Sequence, residues 1–286
     1  MTAEPPAEPP SESEDPWASR RRAFRDLHAS GCFVMPNPWD AGSARALAGL
    51  GFPALATTSA GVAWSLGRAD NHLALYEALS RIGAIAAAVD VPVNADFEGG
   101  FSIAPEGVAT NVTRAVTGTG IAGLSIEDST GDADEPLFDR ALCVERVRAA
   151  REAIDASGTG VVLTARTEGF VVGRPDLAET VRRLAAFAEA GADCLFAPGL
   201  RTADEIRAVV EAVSPKPVNV VVGGDFTTVA ELAALGVRRI SVGGALARAA
   251  WTAFLEAARE IAGQGKFSAF ARVAPSAGLN GMFLEG

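Results

Sequence analysis

Short apolar runs alternate with amphipathic stretches along most of the chain, and this alternation restricts the possible folds more than any other feature. Strands are predicted near 32–36, 54–59, 91–97, 122–127, 161–167, 193–197, 217–222 and 239–243. Helices are predicted between them near 40–50, 72–88, 105–119, 142–157, 176–190, 202–213 and 227–235, and a last one near 245–263. Strands that alternate with helices form parallel sheets. Because eight such units can close on themselves, the sequence predicts an α/β protein with a (β/α)8 TIM barrel.

The two ends of the chain differ from this regular middle. Residues 1–16 are rich in Pro and Glu and have almost nothing to bury, so they are predicted to be a disordered acidic tail. Residues 17–286 are predicted to form a single barrel domain that includes a C-terminal helical extension. A helix over 17–28 has loosely spaced apolar residues, which suggests a lid, and its arginines are assigned to a solvated face.

Composition and charge restrict the partners of the chain. The formal net charge of −10 argues against nucleic acid or an anionic membrane as the main partner, since both attract basic surfaces. No apolar run is long enough for a membrane helix, and the N-terminus does not have the order of a signal peptide. The three cysteines do not form a disulfide or zinc pattern. We therefore expect a cytoplasmic protein.

Two carboxylates follow the third predicted strand, and glycines come directly after them. Asp96 and Glu98 are two residues apart, so alternation along a strand places both on the same face. Like charges repel, and a cation between them is the simplest way to hold them together. The pair predicts a site for a hard divalent metal. The alternative is that both are strand-end carboxylates paired with nearby arginines.

The next two strands end in polar groups as well. Glu127 ends the fourth strand, and alternation places it with Ser125 and turns Asp128 elsewhere. Oxygen ligands without histidine or cysteine favour Mg²⁺ or Mn²⁺ over zinc. Arg166 ends the fifth strand and either grips a substrate carboxylate through two parallel hydrogen bonds or is a structural partner of Glu127 or Glu168.

These strand ends carry motifs in a fixed order. They read Asp96-Phe97-Glu98-Gly99-Gly100-Phe101, then Glu127-Asp128, then Ala165-Arg166-Thr167-Glu168, and further motifs precede them at 36–44, 57–61 and 66–70. Over residues 30–275 the set resembles the isocitrate lyase/phosphoenolpyruvate mutase superfamily. The resemblance implies a TIM barrel whose last helix is often exchanged between subunits. A homo-oligomer, dimer or tetramer, is therefore expected.

The resemblance also implies roles for individual residues. Asp96, Glu98 and Glu127 would be the Mg²⁺ (or Mn²⁺) carboxylates, with Asp70 reaching the metal through water. Thr58, Ser59 and Ala60 would hold a substrate carboxylate or phosphonate, partly through backbone N–H groups, and Arg166 would grip the carboxylate. Substrate selectivity is assigned to the loop at 129–139 and to the mouth around Trp39 and Trp64, so Trp39 is expected to contact substrate.

The chain departs from the superfamily pattern after the fourth strand. Members that split isocitrate or methylisocitrate carry a K-[KR]-C-G-H loop, whereas residues 129–138 contain no Cys, His or Lys. The expected function is a Mg-dependent lyase that cleaves a C–C bond in a small 2-oxo or 2-hydroxy carboxylate through an enolpyruvate-type intermediate, as an oxaloacetate decarboxylase does. Arg166, Asp96 and Glu127 would be its catalytic residues. The alternatives are a phosphoenolpyruvate or phosphonopyruvate mutase or hydrolase, and a non-catalytic dicarboxylate-binding barrel.

Overall fold

The computed structural model describes residues 15–284, so most of the predicted N-terminal tail lies outside the described residues. The strands are β1 (Phe33–Met35), β2 (Leu55–Ala56), β3 (Val93–Asp96), β4 (Gly123–Glu127), β5 (Val162–Arg166), β6 (Cys194–Phe196), β7 (Val218–Val221) and β8 (Arg239–Ser241). The α-helices are α1 (Ala18–Ala29), α2 (Ala41–Gly49), α3 (Ser59–Ser65), α4 (Leu75–Ala87), α5 (Pro105–Gly118), α6 (Arg140–Ser157), α7 (Leu177–Glu189), α8 (Ala203–Val213), α9 (Val229–Ala234), α10 (Ala245–Gln264) and α11 (Ser276–Leu284). A 3-10 helix covers Ser268–Arg272.

The eight strands form one parallel sheet in the order β1-β8-β7-β6-β5-β4-β3-β2. The remaining gap between β1 and β2 is bridged where the Ala56 N–H donates to the carbonyl oxygen of Pro36 at 3.0 Å. The predicted (β/α)8 barrel is confirmed. Every predicted strand and helix is present, with ends that move by a few residues, and α3 is an additional short helix that the sequence pattern did not predict.

Several of the barrel helices begin with a side-chain N-cap. Asp176 accepts from the Glu179 N–H at the start of α7, and Thr202 and Glu205 form a capping box at the start of α8. The outward faces of the strands pack on the helices, as when Leu124 and Leu163 are buried completely in the main apolar cluster. This layer supplies most of the hydrophobic stabilisation of the fold.

The interior of the barrel is unusually polar. Its inward positions hold buried polar residues, namely Asn94, Ser125, Thr164, Asn219, Arg239 and Ser241. Barrel interiors are more often filled with branched apolar side chains. These strands appeared apolar in sequence because their outward positions carry the hydrophobic residues. The polar interior continues into the site described below.

Helix α1 is not a lid over the strand C-termini, so that prediction is wrong. Phe24 is fully buried against Phe33, Ala122 and Val162, which lie at the strand N-termini. Arg21 is also buried and donates to the carbonyl oxygen of Ile121 at 3.0 Å, so it does not belong to a solvated face. Helix α1 closes the bottom of the barrel because Phe24 fits there, with Leu27 partly buried beside it.

The C-terminal helices leave much apolar surface uncovered. In α10, which is 20 residues long, only Ala247 is buried, while Trp251, Phe254 and Leu255 are exposed. The segment beyond it adds exposed apolar residues through Leu284. None of the helices in residues 15–284 combines the length and apolar character needed to cross a membrane.

Candidate active site

A cavity of about 240 Å³ opens at the C-terminal ends of the strands and extends into the barrel interior. Its charged lining residues are Asp70, Asp96, Arg166, Glu168 and Arg239. Asp96 is the last residue of β3 and Arg166 is the last residue of β5. Alternation along these strands points both side chains inward. The structure therefore brings two of the predicted catalytic residues together at the mouth of the barrel.

Arg166 holds three carboxylates at once. Its Nη1 lies 2.6 Å from Oδ1 of Asp96, its Nη2 lies 3.0 Å from Oε2 of Glu127, and its Nε lies 3.0 Å from Oε1 of Glu168. The guanidinium also stacks over Phe196 at 5.2 Å from the ring centroid. Burial alone would lower the pKa of Arg166, but the three carboxylates together raise it. The arginine is thus permanently charged and fixed in direction.

Of the two roles that the sequence left open for Arg166, the structure shows the structural one. Pairing with Glu127 and Glu168 is the structural role, and it is present. The same guanidinium lines the cavity, where a ligand carboxylate can reach it. The two roles are compatible, because carboxylates that pin a guanidinium also aim it.

Glu98 lies beside this cluster in an unusual backbone conformation. Its φ of 46° is in the left-handed region, where an L side chain is strained, and Asn71 and Phe101 near it also have positive φ. Burial raises the pKa of Glu98 to about 8, and the charges of Asp96 and Asp70 add to the effect. Strain and a shifted pKa in one place are typical of functional sites.

The pKa values of Asp70 and Glu127 are raised as well. Burial raises the pKa of Asp70, with Asp96 as a further cause. Burial also raises the pKa of Glu127, although Arg166 opposes that effect. Five carboxylates therefore converge around one guanidinium, namely Asp70, Asp96, Glu98, Glu127 and Glu168.

This donor set fits a hard dication in charge and chemistry. The carboxylates outnumber the available positive charge, and their oxygens are the ligands that Mg²⁺ and Mn²⁺ prefer. Within residues 15–284 no three acidic, histidine or cysteine groups already converge in ligand geometry. Asp96 and Glu127 point their oxygens at Arg166, while Glu98 and Glu127 line a second cavity that adjoins the first.

The segment predicted to hold a substrate carboxylate begins α3. Thr58, Ser59 and Ala60 all line the main cavity. The Ser59 N–H donates to Oδ2 of Asp96 at 3.0 Å, so this segment also fixes the strand-end aspartate. Trp39 is placed differently: it packs against the apolar core beside Gly61 and is not among the residues of the described chain that line the cavity.

The loop at 129–139 covers the second cavity. It is closed at its base by an antiparallel bridge between Ser129 and Leu137. Arg183 secures the base, since its Nη1 lies 3.1 Å from Oδ2 of Asp128 and 2.9 Å from the carbonyl oxygen of Phe138. Asp128 thus points away from the cavity, as alternation predicted. Burial raises the pKa of the Cys143 thiol to about 12, which makes it a poor nucleophile.

Several cavity residues were missed in the sequence. Asn94, Asn219, Arg239 and Ser241 lie on three strands and face inward. The available signal was the period of two: Arg239 and Ser241 alternate with Ile240, which is buried on the outward side in the main apolar cluster. The candidate site residues were sought at the strand ends, whereas these four lie within the strands.

Comparison with known proteins gives consistent matches over almost the whole barrel. The model of the phosphoenolpyruvate phosphomutase family matches residues 24–262. A solved protein of Burkholderia cenocepacia, provisionally described as a lyase or mutase, is 50% identical, with a TM-score of 0.91 over 94% of this chain and 98% of that one. Oxaloacetate acetylhydrolase, solved with its product oxalate, is 27% identical, with a TM-score of 0.83 over 95% of this chain and 96% of that one. Oxaloacetate decarboxylase of Rhodopseudomonas palustris is 31% identical over 69% of each chain.

Proposed function

The chain belongs to the phosphoenolpyruvate mutase/isocitrate lyase superfamily, and on that premise we propose that it is a Mg²⁺-dependent lyase that cleaves a C–C bond in a small 2-oxo or 2-hydroxy carboxylate. Oxaloacetate is the first substrate to test, because two of the matched proteins are named for it. The observation that carries the proposal is the cluster of acidic side chains around Arg166 at the mouth of the barrel.

Asp96, Glu98 and Glu127 would hold the metal, with Asp70 acting through water. When bound, the ion supplies positive charge beside the oxygen that becomes an enolate. The raised pKa of Glu98 supports this assignment, since a buried acid between like charges is stabilised by a dication.

Arg166 would bind the carboxylate at the 2-oxo or 2-hydroxy end of the substrate. Its direction is already set by Glu127 and Glu168, so little conformational entropy is lost when the ligand arrives. The backbone N–H groups of the 58–60 segment would hold the same end of the substrate. These groups bind and orient, and the buried cavity excludes water.

The absence of Cys, His and Lys from the loop favours a reaction that needs none of these proton donors there. Residues 129–138 contain no Cys, His or Lys, and Cys143 is buried with a raised pKa. Decarboxylation releases CO2, a leaving fragment that takes up no proton from the protein. A reaction of the isocitrate lyase type needs a donor for its leaving carbanion, so isocitrate is expected to be a poor substrate.

We further propose a cytoplasmic homo-oligomer in which the C-terminal helices pack on a second copy. The apolar surface of α10 supports this, because soluble monomers seldom expose a continuous patch of that kind. The three cysteines are all unpaired, which suits a reducing compartment.

A substrate panel tests the proposed activity. Oxaloacetate, 2,3-dimethylmalate, phosphonopyruvate, phosphoenolpyruvate and isocitrate would be incubated with the protein, with and without Mg²⁺, and the products identified. We expect Mg²⁺-dependent pyruvate from a C–C substrate. Rearrangement or hydrolysis of phosphonopyruvate as the main reaction would support the C–P alternative instead. Tight binding of diacids with no product would support a non-catalytic barrel.

The cysteine variant Cys143→Ser sharpens the isocitrate part of the panel. If the loop has no proton donor, neither the wild type nor this variant should release glyoxylate rapidly. Rapid release by both would reveal a donor elsewhere and overturn the argument from the loop.

A further inference from the structure

A second buried arginine lines the cavity, three strands away from Arg166 in the barrel. Arg239 is the first residue of β8, is only 1% exposed, and lines the cavity where it enters the barrel interior. Its Nε donates to Oδ1 of Asn219 at 2.9 Å. Its Nη1 lies 3.3 Å from Nε2 of His28 in α1.

The charge of Arg239 has no counterion in residues 15–284. No carboxylate there forms an ion pair with it, and its polar partners are a neutral amide and an imidazole. By contrast, Arg166 in the same cavity has three carboxylates, and buried Arg183 has Asp128. A buried cation without a partner is expensive and is retained where something else supplies the negative charge.

The hydrogen-bond register places the two arginines in one row. Arg166 is aligned with Phe196, Phe196 with Asn219, and Asn219 with Arg239. All four line the cavity, so both guanidinium groups point inward. Three strand spacings separate their Cα atoms by roughly 14 Å along the sheet, and less across the barrel, so the two residues line the same cavity from different walls.

Neutral polar side chains line the same cavity, among them Asn94, Ser125 and Ser241. Such a lining suits a polar ligand.

We propose that Arg239, oriented by Asn219, binds the distal carboxylate of a diacid whose other end is held at Arg166. This inference rests on the proposed function, since it assigns the substrate class to the same cavity. Arg239 is then a specificity-determining residue: it favours diacids over monoacids of equal length. The 2-oxo or 2-hydroxy end lies at the mouth, and the second carboxylate points towards α1.

The pairing has a kinetic signature. A carboxylate that leaves as CO2 loses its charge as the bond breaks, so its ion pair with Arg239 is stronger in the ground state than in the transition state. Arg239 should therefore lower KM without raising kcat. A residue that only supported the fold would not separate the two constants in this way.

Binding probes test the assignment without relying on turnover. Affinities for L-malate, 2-hydroxybutyrate and oxalate would be measured by calorimetry in the presence of Mg²⁺. Malate and 2-hydroxybutyrate have the same chain length and differ in the distal carboxylate, while oxalate is too short to reach Arg239 from the mouth. We expect the wild type to prefer malate over 2-hydroxybutyrate by about tenfold or more.

Arg239→Met keeps the side-chain volume and removes the charge. In this variant the preference should fall to within about twofold, while oxalate affinity stays within about twofold of wild type. Arg238→Met is the matched control, because Arg238 is the adjacent residue and its Nη1 donates to the exposed carbonyl oxygen of Gly31. The control should keep the wild-type preference.

The outcomes separate the two proposals. If the wild type binds oxalate but does not distinguish malate from 2-hydroxybutyrate, the role of Arg239 is refuted and the proposed function stands. If no probe binds, the proposed function fails first. Should Arg239→Met not fold, Arg239→Lys replaces it. Because lysine keeps the charge but not the guanidinium, this variant should prefer malate over 2-hydroxybutyrate, but less strongly than wild type does. With a turned-over substrate, Arg239→Met should raise KM and leave kcat unchanged or higher, and an equal loss in both would contradict the proposal.

Discussion

Arg166 illustrates how a few charged residues define the site. Its guanidinium contacts Asp96, Glu127 and Glu168, so each nitrogen has a carboxylate within 3.0 Å. Such a group resists rotation and cannot be replaced by a point charge of the same sign. The order of strand-end motifs identified this arginine and the acids around it. Glu127 and Glu168 were named as possible partners and are present, whereas the contact with Asp96 was not predicted, because it depends on how β3 lies relative to β5 in the closed sheet.

Replacing Arg166 by lysine tests the grip at this position. We expect Arg166→Lys to fold, and KM for the true substrate to rise on the order of 10- to 100-fold, because an ammonium cannot make two parallel hydrogen bonds to a carboxylate. Steady-state kinetics would measure it, with Arg182→Lys on the exposed face of α7 as control. Wild-type KM in Arg166→Lys would show that the arginine does not bind substrate.

The acidic cluster makes a second prediction about metal binding. Mg²⁺ at 100 times its Kd should stabilise the fold by about 2.7 kcal/mol, which corresponds to a rise in Tm of roughly 5–10 °C for a domain of this size. Asp96→Ala and Glu98→Ala should abolish that rise, and Glu127→Gln should reduce it. Asp225→Ala, an exposed acid in the loop after β7, should keep it. An equal rise in all variants would place the metal elsewhere.

At the scale of elements, the repeated pattern of strand and helix was enough to predict the barrel. Most strands carry apolar residues on the outward face, and most of the barrel helices carry a matching stripe, so local periodicity and the fold agree. The placement of α1 and α10 was not predictable in the same way. The apolar spacing of α1 also suits a lid. Its position is decided only by the fit of the Phe24 side chain in the cluster at the strand N-termini.

The polar residues inside the barrel were not predicted for a similar reason. Asn219 and Arg239 lie in strands whose average composition is apolar, and their partners are brought together only by the closed sheet. A polar residue at an inward position is visible in the sequence once the inward face is known. That face was assigned for the strands with acidic ends but not for β7 and β8.

The docking of α1 predicts a dependence of stability on pH. Burial and the nearby guanidinium of Arg239 lower the pKa of His28 from 6.5 to about 3. The neutral ring donates from Nδ1 to the carbonyl oxygen of Phe24 at 2.7 Å and accepts from Arg239. Because the folded-state pKa is depressed, this stabilisation is complete above pH 6.5 and is lost as the pH falls towards 3.

Chemical denaturation across pH measures this effect. At pH 5 the loss relative to pH 7.5 should be about 1–2 kcal/mol from His28. In His28→Gln the remaining glutamine cannot titrate, so the difference between wild type and variant should shrink as the pH falls through that window. Parallel curves for the two proteins would show that His28 does not carry the dependence.

As a single copy, the described chain leaves a large apolar surface uncovered. Helix α10 has the place in sequence of the eighth barrel helix, but 19 of its 20 residues are exposed or only partly covered, since Ala247 alone is buried. Its apolar face includes Phe254, which is 59% exposed. A second copy of the chain would cover this surface and supply the missing layer.

Light scattering with size-exclusion chromatography tests the assembly. The wild type should run as a dimer or tetramer, and Phe254→Arg should shift it towards monomer, because buried aromatic residues at the centre of an interface carry much of its energy. Tyr76→Arg is the matched control on α4, where the ring is 72% exposed. A monomeric wild type would contradict the proposed assembly and leave the exposed surface of α10 without explanation.

The most direct test of the central claim is the rate of pyruvate formation from oxaloacetate as a function of Mg²⁺ concentration, measured for wild type and Asp96→Asn. The uncatalysed reaction with the same metal is subtracted, and Asp225→Ala serves as the protein control. We expect a saturable Mg²⁺-dependent rate in wild type and control, reduced on the order of 100-fold or more in Asp96→Asn. A wild-type rate in Asp96→Asn, or a rate independent of Mg²⁺, would contradict it.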